Sequence, residues 1–160
     1  MKTKHKTVYK VLHKKDGKLY SFNSWFVLGS YGKKTSGHMT KILLNLGIIK
    51  TYHPNKWHFF PKQKGFVFSS HSDASHYLKE LLKWQFFVGY NFRKDLSGLE
   101  IWQCKAQTTT ASFIAKLCFI TSYAEDHGGR LLEREHLSFT APNASVGVSS
   151  LKLIACAEKY

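Results

Sequence analysis

Residues 65–77 read GFVFSSHSDASHY and contain the clearest structural signal of the chain. The apolar run over 65–68 predicts a short buried strand, and the Ser- and Asp-rich turn after it offers side chains that cap the first turn of a helix. Apolar residues then recur at the spacing of one helix face; they are Ala74, Tyr77, Leu78, Leu81 and Leu82. This stretch therefore predicts a strand that leads directly into a capped helix.

The N-terminal part predicts a β-hairpin. Residues 7–13 are rich in β-branched and aromatic side chains, as strands are. Asp16 and Gly17 favour a two-residue type I′ turn, because both residues tolerate a positive φ. The returning strand is expected over 19–27.

Between the hairpin and residue 65, a second helix is predicted over 38–46, where apolar residues recur on one face. Ser36 is the expected N-cap, and Gly47 stands where a left-handed residue ends many helices. A strand is expected over 48–52, and the aromatic segment 57–60 is expected to pack over the sheet.

Downstream of the central stretch the chain predicts strands. Residues 99–106 alternate strictly between two faces. Further strands are expected over 115–123, 131–139 and 146–157. For 131–139 a helix is the alternative, and a strand is favoured. With no internal repeat, residues 1–160 predict a single α+β domain, with a mainly antiparallel sheet and two short helices.

Charge is distributed unevenly along the chain, whose 24 Lys and Arg against 10 acids give a formal net charge of +14. Residues 1–64 carry 14 Lys and one acid, a net charge of +13, whereas 65–160 carry 10 basic and 9 acidic residues, a net charge of +1. This asymmetry predicts a surface that faces a polyanion, either nucleic acid or an anionic membrane; the alternative is a lysine-rich surface without a partner. The candidate contacts are Lys10, Lys14, Lys15, Lys18, Lys33, Lys34, Lys41 and Lys56.

Aromatic residues interleave with these lysines; they are Tyr9, Tyr20, Phe22, Trp25, Tyr31, Tyr52, Trp57 and His58. Bases of single-stranded nucleic acid stack on exposed aromatic rings beside basic grooves. Because strand alternation buries about half of such side chains, core filling is the alternative. Only three basic residues are Arg, so any nucleic-acid binding should be electrostatic and weakly sequence-specific.

The three cysteines, Cys104, Cys118 and Cys156, form no CxxC pair, which favours a reducing compartment and predicts no structural metal site. No apolar run approaches the roughly 20 residues that cross a bilayer. The basic N-terminus is not followed by an apolar signal segment. A cytoplasmic protein without a membrane span is therefore expected.

Residues 65–77 also resemble the central motif of the ADP-ribosyltransferase fold, as in rifampin ADP-ribosyltransferases and poly(ADP-ribose) polymerases. In those families an apolar strand enters a Ser- or Thr-rich turn, and the next helix carries an aromatic residue a few positions after an Ala. Ala74 and Tyr77 match this pattern. The strand over 99–106 is similar to the one that follows in those enzymes, and the strand ending at His13 falls where their His-Gly motif lies.

The resemblance implies an ADP-ribosyltransferase-like layout and NAD as cofactor. The site residues that it implies are Tyr77 stacked on nicotinamide, Ser69 or His13 at the ribose or amide, and Glu133 or Glu135 at the positive charge that builds on the ribose. The pattern is incomplete, since Lys14 follows His13 where those families have Gly, and Val67 stands where the polymerases have a catalytic Tyr.

Three hypotheses therefore stand together. The leading one is a small basic binding protein, without a cofactor, whose Lys-rich N-terminal part engages a polyanion such as nucleic acid. The second is an NAD-dependent ADP-ribosyltransferase. The third is an interaction or inhibitor factor that docks onto a nucleic-acid-associated protein. Tyr77 separates the first two, because it is expected to lie in the core unless it carries nicotinamide.

Overall fold

Nine strands and two helices are present in the residues that the computed structural model describes, which are 4–22, 24–25, 28, 33–45, 47, 49–60, 65–87, 95–109, 114–124, 130–140 and 145–160. Only the backbone is described for residues 33–35, 84–87, 109, 114–124 and 130–140. The strands are β1 (Lys6–Lys15), β2 (Lys18–Ser21), β3 (Thr51–Tyr52), β4 (Trp57–Phe59), β5 (Gly65–Phe68), β6 (Leu99–Thr109), β7 (Ile114–Ala124), β8 (Arg130–Thr140) and β9 (Ser145–Lys159). The helices are α1 (Lys33–Asn45) and α2 (His71–Phe87). The predicted α+β class with a mainly antiparallel sheet is confirmed, whereas the ADP-ribosyltransferase-like layout stays a prediction.

The sheet is organised around β6, which pairs with β1 along one edge and with β9 along the other. β5 pairs with β9 and also meets β1, where Tyr9 lies opposite Phe68. The ladder β1–β6–β9–β5 therefore closes on itself. β2 and β3 extend it beyond β1, and β4 pairs with β9. These pairs are all antiparallel, and β7 pairs with β8 in a second antiparallel ladder.

β1 is buried on both faces, because each face meets a different part of the core. Val8 and Leu12 belong to one apolar cluster, which includes Leu151 and Leu153 of β9. Val11, on the opposite face, belongs to a second cluster that includes Leu78 of α2. Since successive side chains of a strand point to opposite faces, even-numbered residues of β1 face the first cluster and odd-numbered residues face α2.

The predicted hairpin turn is confirmed. Asp16 and Gly17 have φ values of +52° and +75°, and Lys15 lies opposite Lys18 in the register. The predicted length of the returning strand is wrong, because β2 ends at Ser21. The chain turns there, and the Trp25 N–H donates to the Phe22 carbonyl at 3.0 Å. Trp25 is fully buried, so its packing draws the backbone away from the sheet.

α2 follows β5 as predicted, and its cap is explicit. The Ser70 hydroxyl accepts a hydrogen bond from the Asp73 N–H at 3.1 Å, which satisfies a donor of the first turn. Ala74 and Leu78, one helical turn apart, are fully buried against the sheet. The strand-to-helix step that the sequence predicts is therefore present with its expected core face.

α1 begins earlier than predicted. It runs from Lys33, so Ser36 lies inside the helix rather than at its N-cap, and the Ser36 carbonyl accepts a hydrogen bond from the Thr40 hydroxyl at 2.7 Å. Gly47 has the predicted positive φ, +69°. In the part of the chain that the structure describes, neither helix has the length and apolar character that crossing a membrane requires.

Candidate functional site

His13 is buried at the end of β1 and is held by a hydroxyl. Its Nδ1 lies 2.7 Å from Ser24 Oγ, and that hydroxyl donates its proton to the Ser21 carbonyl at 2.8 Å. Ser24 therefore accepts from His13 Nδ1–H, because it has a single proton to donate. Gly98, with a φ of +88°, lies against the ring, where a Cβ would be 3.4 Å from His13 Cδ2. This geometry orients the imidazole and does not activate Ser24 as a nucleophile.

Tyr77 lies half-buried on α2 among aromatic rings. Its ring centroid is 5.3 Å from that of Phe68, 5.9 Å from Phe22 and 6.4 Å from Phe66. Burial raises the pKa of Tyr77 to about 12. These contacts belong to the second core cluster, and they are separate from the Ser24 contact that holds His13. Ser69 lies exposed just after β5.

The two acids that the resemblance implies lie in β8. Glu133 is opposite Ser122 and Glu135 is opposite Phe119 of β7; their side chains lie outside the described part. Sequence reasoning missed a different carboxylate, that of Glu100. It is buried opposite Leu12, accepts a hydrogen bond from Trp102 Nε1 at 3.2 Å, and lies 3.9 Å from Lys14 Nζ. The alternation of β6 carried the signal, because it places Glu100, the only acid of this strand, on the same face as Cys104 and Ala106.

The lysines named from the sequence occupy different environments. Lys18, Lys41 and Lys56 are exposed. Lys14 is exposed beside Glu100, and Lys15 forms an ion pair with Asp16 at 3.2 Å. The side chains of Lys33 and Lys34 lie outside the described part. Lys10 is only 5% exposed, so it is a core residue rather than a surface contact; its even position on β1 turns it towards the first core cluster.

Most of the interleaved aromatics fill the core. Those that are buried are Tyr20, Phe22, Trp25, Tyr52 and His58; Tyr9 is half-buried, and Tyr31 lies outside the described residues. Segment 57–60 was expected to pack over the sheet, but only His58 and Phe60 do so. Trp57 is 38% exposed and Phe59, which the sequence did not single out, is 69% exposed. Both point outward because they flank the buried His58 on β4.

Trp57 continues a row of residues across four strands. Thr7 lies opposite Lys105, Lys105 opposite Lys152, and Lys152 opposite Trp57. Residues paired in this way share a face of the sheet. We call Thr7, Lys105, Lys152 and Trp57 the exposed row, in which Lys152 is half-buried and the other three are exposed. Lys105 Nζ donates to the Thr7 hydroxyl at 3.0 Å, and the His5 ring lies 4.7 Å from that of Trp57.

The exposed row is positively charged. Within the described ranges, neither Lys105 nor Lys152 forms an ion pair, and the four ion pairs present involve other residues. Lys56 precedes Trp57 and is exposed. The row therefore places exposed aromatic rings beside lysines whose charge no carboxylate of the described residues neutralises by contact.

A second positive group lies around the Tyr52 ring and consists of the buried Lys10 and the half-buried Lys50. Lys10 Nζ donates to the Phe66 carbonyl at 2.9 Å and lies 6.0 Å from the centre of the Tyr52 ring. Lys50 Nζ donates to the Phe59 carbonyl at 3.2 Å and lies 5.9 Å from the same ring centre. The centre of the Phe66 ring lies 4.9 Å from Lys10 Nζ, and the centre of the Phe60 ring lies 4.4 Å from Lys50 Nζ. We call Lys10, Lys50, Tyr52, Phe60 and Phe66 the Tyr52 cluster.

Burial dominates the protonation of the Tyr52 cluster. It lowers the pKa of Lys10 to about 8; the Cys104 thiol opposes this shift, and the charge of Lys50 adds to it. Burial also lowers the pKa of Lys50 and raises that of Tyr52, which therefore keeps its proton. The environment thus disfavours charge on both amines.

Comparison with protein-family models, curated proteins and solved structures returned no match. Among the described side chains, no group of three or more His, Cys, Asp or Glu residues is arranged to hold a metal ion. The exposed row and the Tyr52 cluster are the two features of the described part that bear on function.

Proposed function

We propose that this protein binds single-stranded nucleic acid through the exposed row together with Phe59. The observation that carries the proposal is the exposure of Trp57 and Phe59 beside Lys105 and Lys152, neither of which forms an ion pair among the described residues. Large aromatic side chains are normally buried. Among the described residues, those that are buried are Tyr20, Phe22, Trp25, Tyr52, Phe60 and Phe68. Rings held out of the core by strand geometry are available to a partner.

The spacing of the two rings suits nucleobases. Trp57 and Phe59 are two residues apart on β4, so their Cα atoms are separated by about 7 Å. That distance equals two stacking steps of about 3.4 Å. A base can therefore stack on either ring, and base–aromatic stacking contributes about 1–3 kcal/mol per base.

The lysines supply the phosphate contacts. A lysine attracts a phosphate as a point charge and reads no base edge, so the proposal predicts weak sequence preference. Affinity should fall steeply between about 50 mM and 200 mM salt, because bound phosphates release their counterions. A surface that docks a protein through its apolar rings would not show this dependence.

The test is fluorescence anisotropy of labelled oligo(dT) and oligo(rU), with the parent protein and with the double variant Trp57→Ala/Phe59→Ala. We expect the double variant to bind at least about 30-fold more weakly, which corresponds to the loss of about 2 kcal/mol or more of stacking. Ile154→Ala is the matched control, because Ile154 is another exposed large apolar residue, 42% exposed, on β9. Equal affinities of the parent and the double variant, or no binding at low salt, would contradict the proposal.

A further inference from the structure

The Tyr52 cluster has an unusual charge composition. Two ammonium groups lie about equally far from one aromatic ring, and that of Lys10 is nine-tenths buried. Among the residues that the structure describes, no carboxylate forms an ion pair with Lys10 or Lys50. The groups that act electrostatically on Lys10 are the Cys104 thiol and the like charge of Lys50. A buried charge normally has a partner of opposite sign, and the part of the chain that the structure describes supplies none to Lys10.

The unused hydrogen-bond donors point to the kind of partner. Each ammonium has three N–H donors. Lys10 uses one on the Phe66 carbonyl, and Lys50 uses one on the Phe59 carbonyl. Among the described residues neither ammonium forms a further hydrogen bond, so two donors of each remain for a partner. A carboxylate carries one charge on two oxygens, whereas a phosphate group carries up to two charges on three or more oxygens. Phosphate therefore matches both the charge and the donors.

We propose that Lys10 and Lys50 bind a phosphate group beside the Tyr52 ring. Lys50, which is partly exposed, connects the site to solvent, and Lys10 provides its inner wall. The phosphate comes either from free inorganic phosphate or from the terminal monophosphate of a nucleic-acid strand. The Phe59 carbonyl that holds Lys50 belongs to β4, the strand that presents Trp57 and Phe59. The site does not depend on binding at the exposed row.

The alternative is that carbonyls and ring faces alone hold the two ammonium groups, so that the cluster is purely structural. Lys10→Met and Lys50→Gln separate these possibilities, with Lys18→Gln as control. Lys18 is an exposed lysine on the neighbouring β2. Lys50→Gln acts at a partly exposed position and so keeps the test valid if Lys10→Met does not fold.

The experiment measures thermal unfolding in a phosphate-free buffer as inorganic phosphate is added at constant ionic strength. We expect a saturable rise of the melting temperature in the parent protein and in Lys18→Gln. The apparent affinity should be at least about tenfold lower in Lys50→Gln, and the saturable rise should be absent in Lys10→Met. No saturable rise in the parent, or equal apparent affinities in the parent and Lys50→Gln, would overturn the proposal.

A second arm identifies the source of the phosphate. Oligo(dT) with and without a 5′-phosphate is titrated into Trp57→Ala/Phe59→Ala, which lacks the aromatic rings of the exposed row but keeps both lysines. Tighter binding of the phosphorylated strand assigns a terminal phosphate, whereas equal binding together with the inorganic phosphate effect assigns free phosphate. Failure of stacking at the exposed row therefore leaves the phosphate result interpretable.

Discussion

Lys10 shows how a single residue departs from the expectation for its type. A buried ammonium loses its hydration, which costs several kcal/mol unless other groups replace the water. The Phe66 carbonyl and the rings of Phe66 and Tyr52 replace part of it. They do not replace all of the lost hydration, and this is why the pKa of Lys10 is lowered to about 8. The charged Lys10 side chain therefore has a higher free energy in the folded protein than in the unfolded chain, and it lowers the stability of the fold.

The pH dependence of stability follows from this shift. Below about pH 8 both states hold the proton; between about pH 8 and 10.5 the folded state releases it while the unfolded chain still binds it, so stability rises with pH. The rise through Lys10 amounts to about 3 kcal/mol. Urea denaturation of the parent and of Lys10→Met in phosphate-free buffer measures it.

The comparison of the two proteins at each pH is essential. Burial raises the pKa of Cys104 to about 12 and raises that of Tyr52, so these groups lower the stability as the pH increases. They are present in both proteins. We expect Lys10→Met to be the more stable protein near pH 7 and the difference to shrink towards pH 10. Parallel curves would contradict the shift of Lys10.

At the scale of the element, α2 and β4 show two consequences of periodicity. α2 buries Ala74 and Leu78 and places Tyr77 at the margin of the same core cluster. β4 buries His58 and exposes the residues on either side of it. The helix thus uses its aromatic residue for packing, whereas the strand turns two of its aromatic residues to solvent.

Tyr77→Ala tests the packing role. Its ring contacts three aromatic residues, so we expect the substitution to lower the free energy of unfolding by about 3 kcal/mol. The exposed His76, also on α2, serves as control, and His76→Ala should stay within about 0.5 kcal/mol of the parent. Both are measured with and without excess NAD. A stable Tyr77→Ala that loses an NAD-dependent stabilisation of the parent would instead support the transferase hypothesis.

At the scale of the whole molecule, the sheet joins the two parts of the chain that differ in charge. The exposed row takes Thr7 and Trp57 from the basic part, residues 1–64, and Lys105 and Lys152 from the near-neutral part. Because β6 lies between β1 and β9, the residues of β6 and β9 are carried into the middle of the row. The positive surface is therefore a property of the assembled sheet rather than of one segment.

The salt dependence of binding tests this assembly. Lys105→Gln/Lys152→Gln should lower the slope of log affinity against log salt by about 1.4, since each single-strand phosphate contact contributes about 0.7. Lys79→Gln/Lys83→Gln removes the same charge from exposed positions of α2 and should leave the slope unchanged. Equal changes in both variants would show that net charge alone attracts the ligand.

Local patterns in the sequence predict several elements correctly. The turn at Asp16-Gly17, the strand-to-helix step with its Ser70 cap, and the alternation of β6 each depend on neighbours in the chain. The interpretation of single residues is less successful. The charge pattern predicts Lys10 at the surface, but Lys10 is buried. No local pattern distinguishes Phe59, although it is the most exposed of the large apolar residues described.

The class of the fold, the hairpin turn, the capped helix and the excess of positive charge follow from the amino-acid sequence alone, because they depend on backbone preferences, on side-chain periodicity and on composition. Which lysines and aromatic rings face solvent depends instead on how the strands and helices pack together. The pairing of Trp57 with Lys152, and the closure of the ladder through Tyr9 and Phe68, join residues far apart in the chain. Whether a side chain is buried depends on the residue that packs against it from another part of the chain, so the local sequence pattern alone does not specify burial.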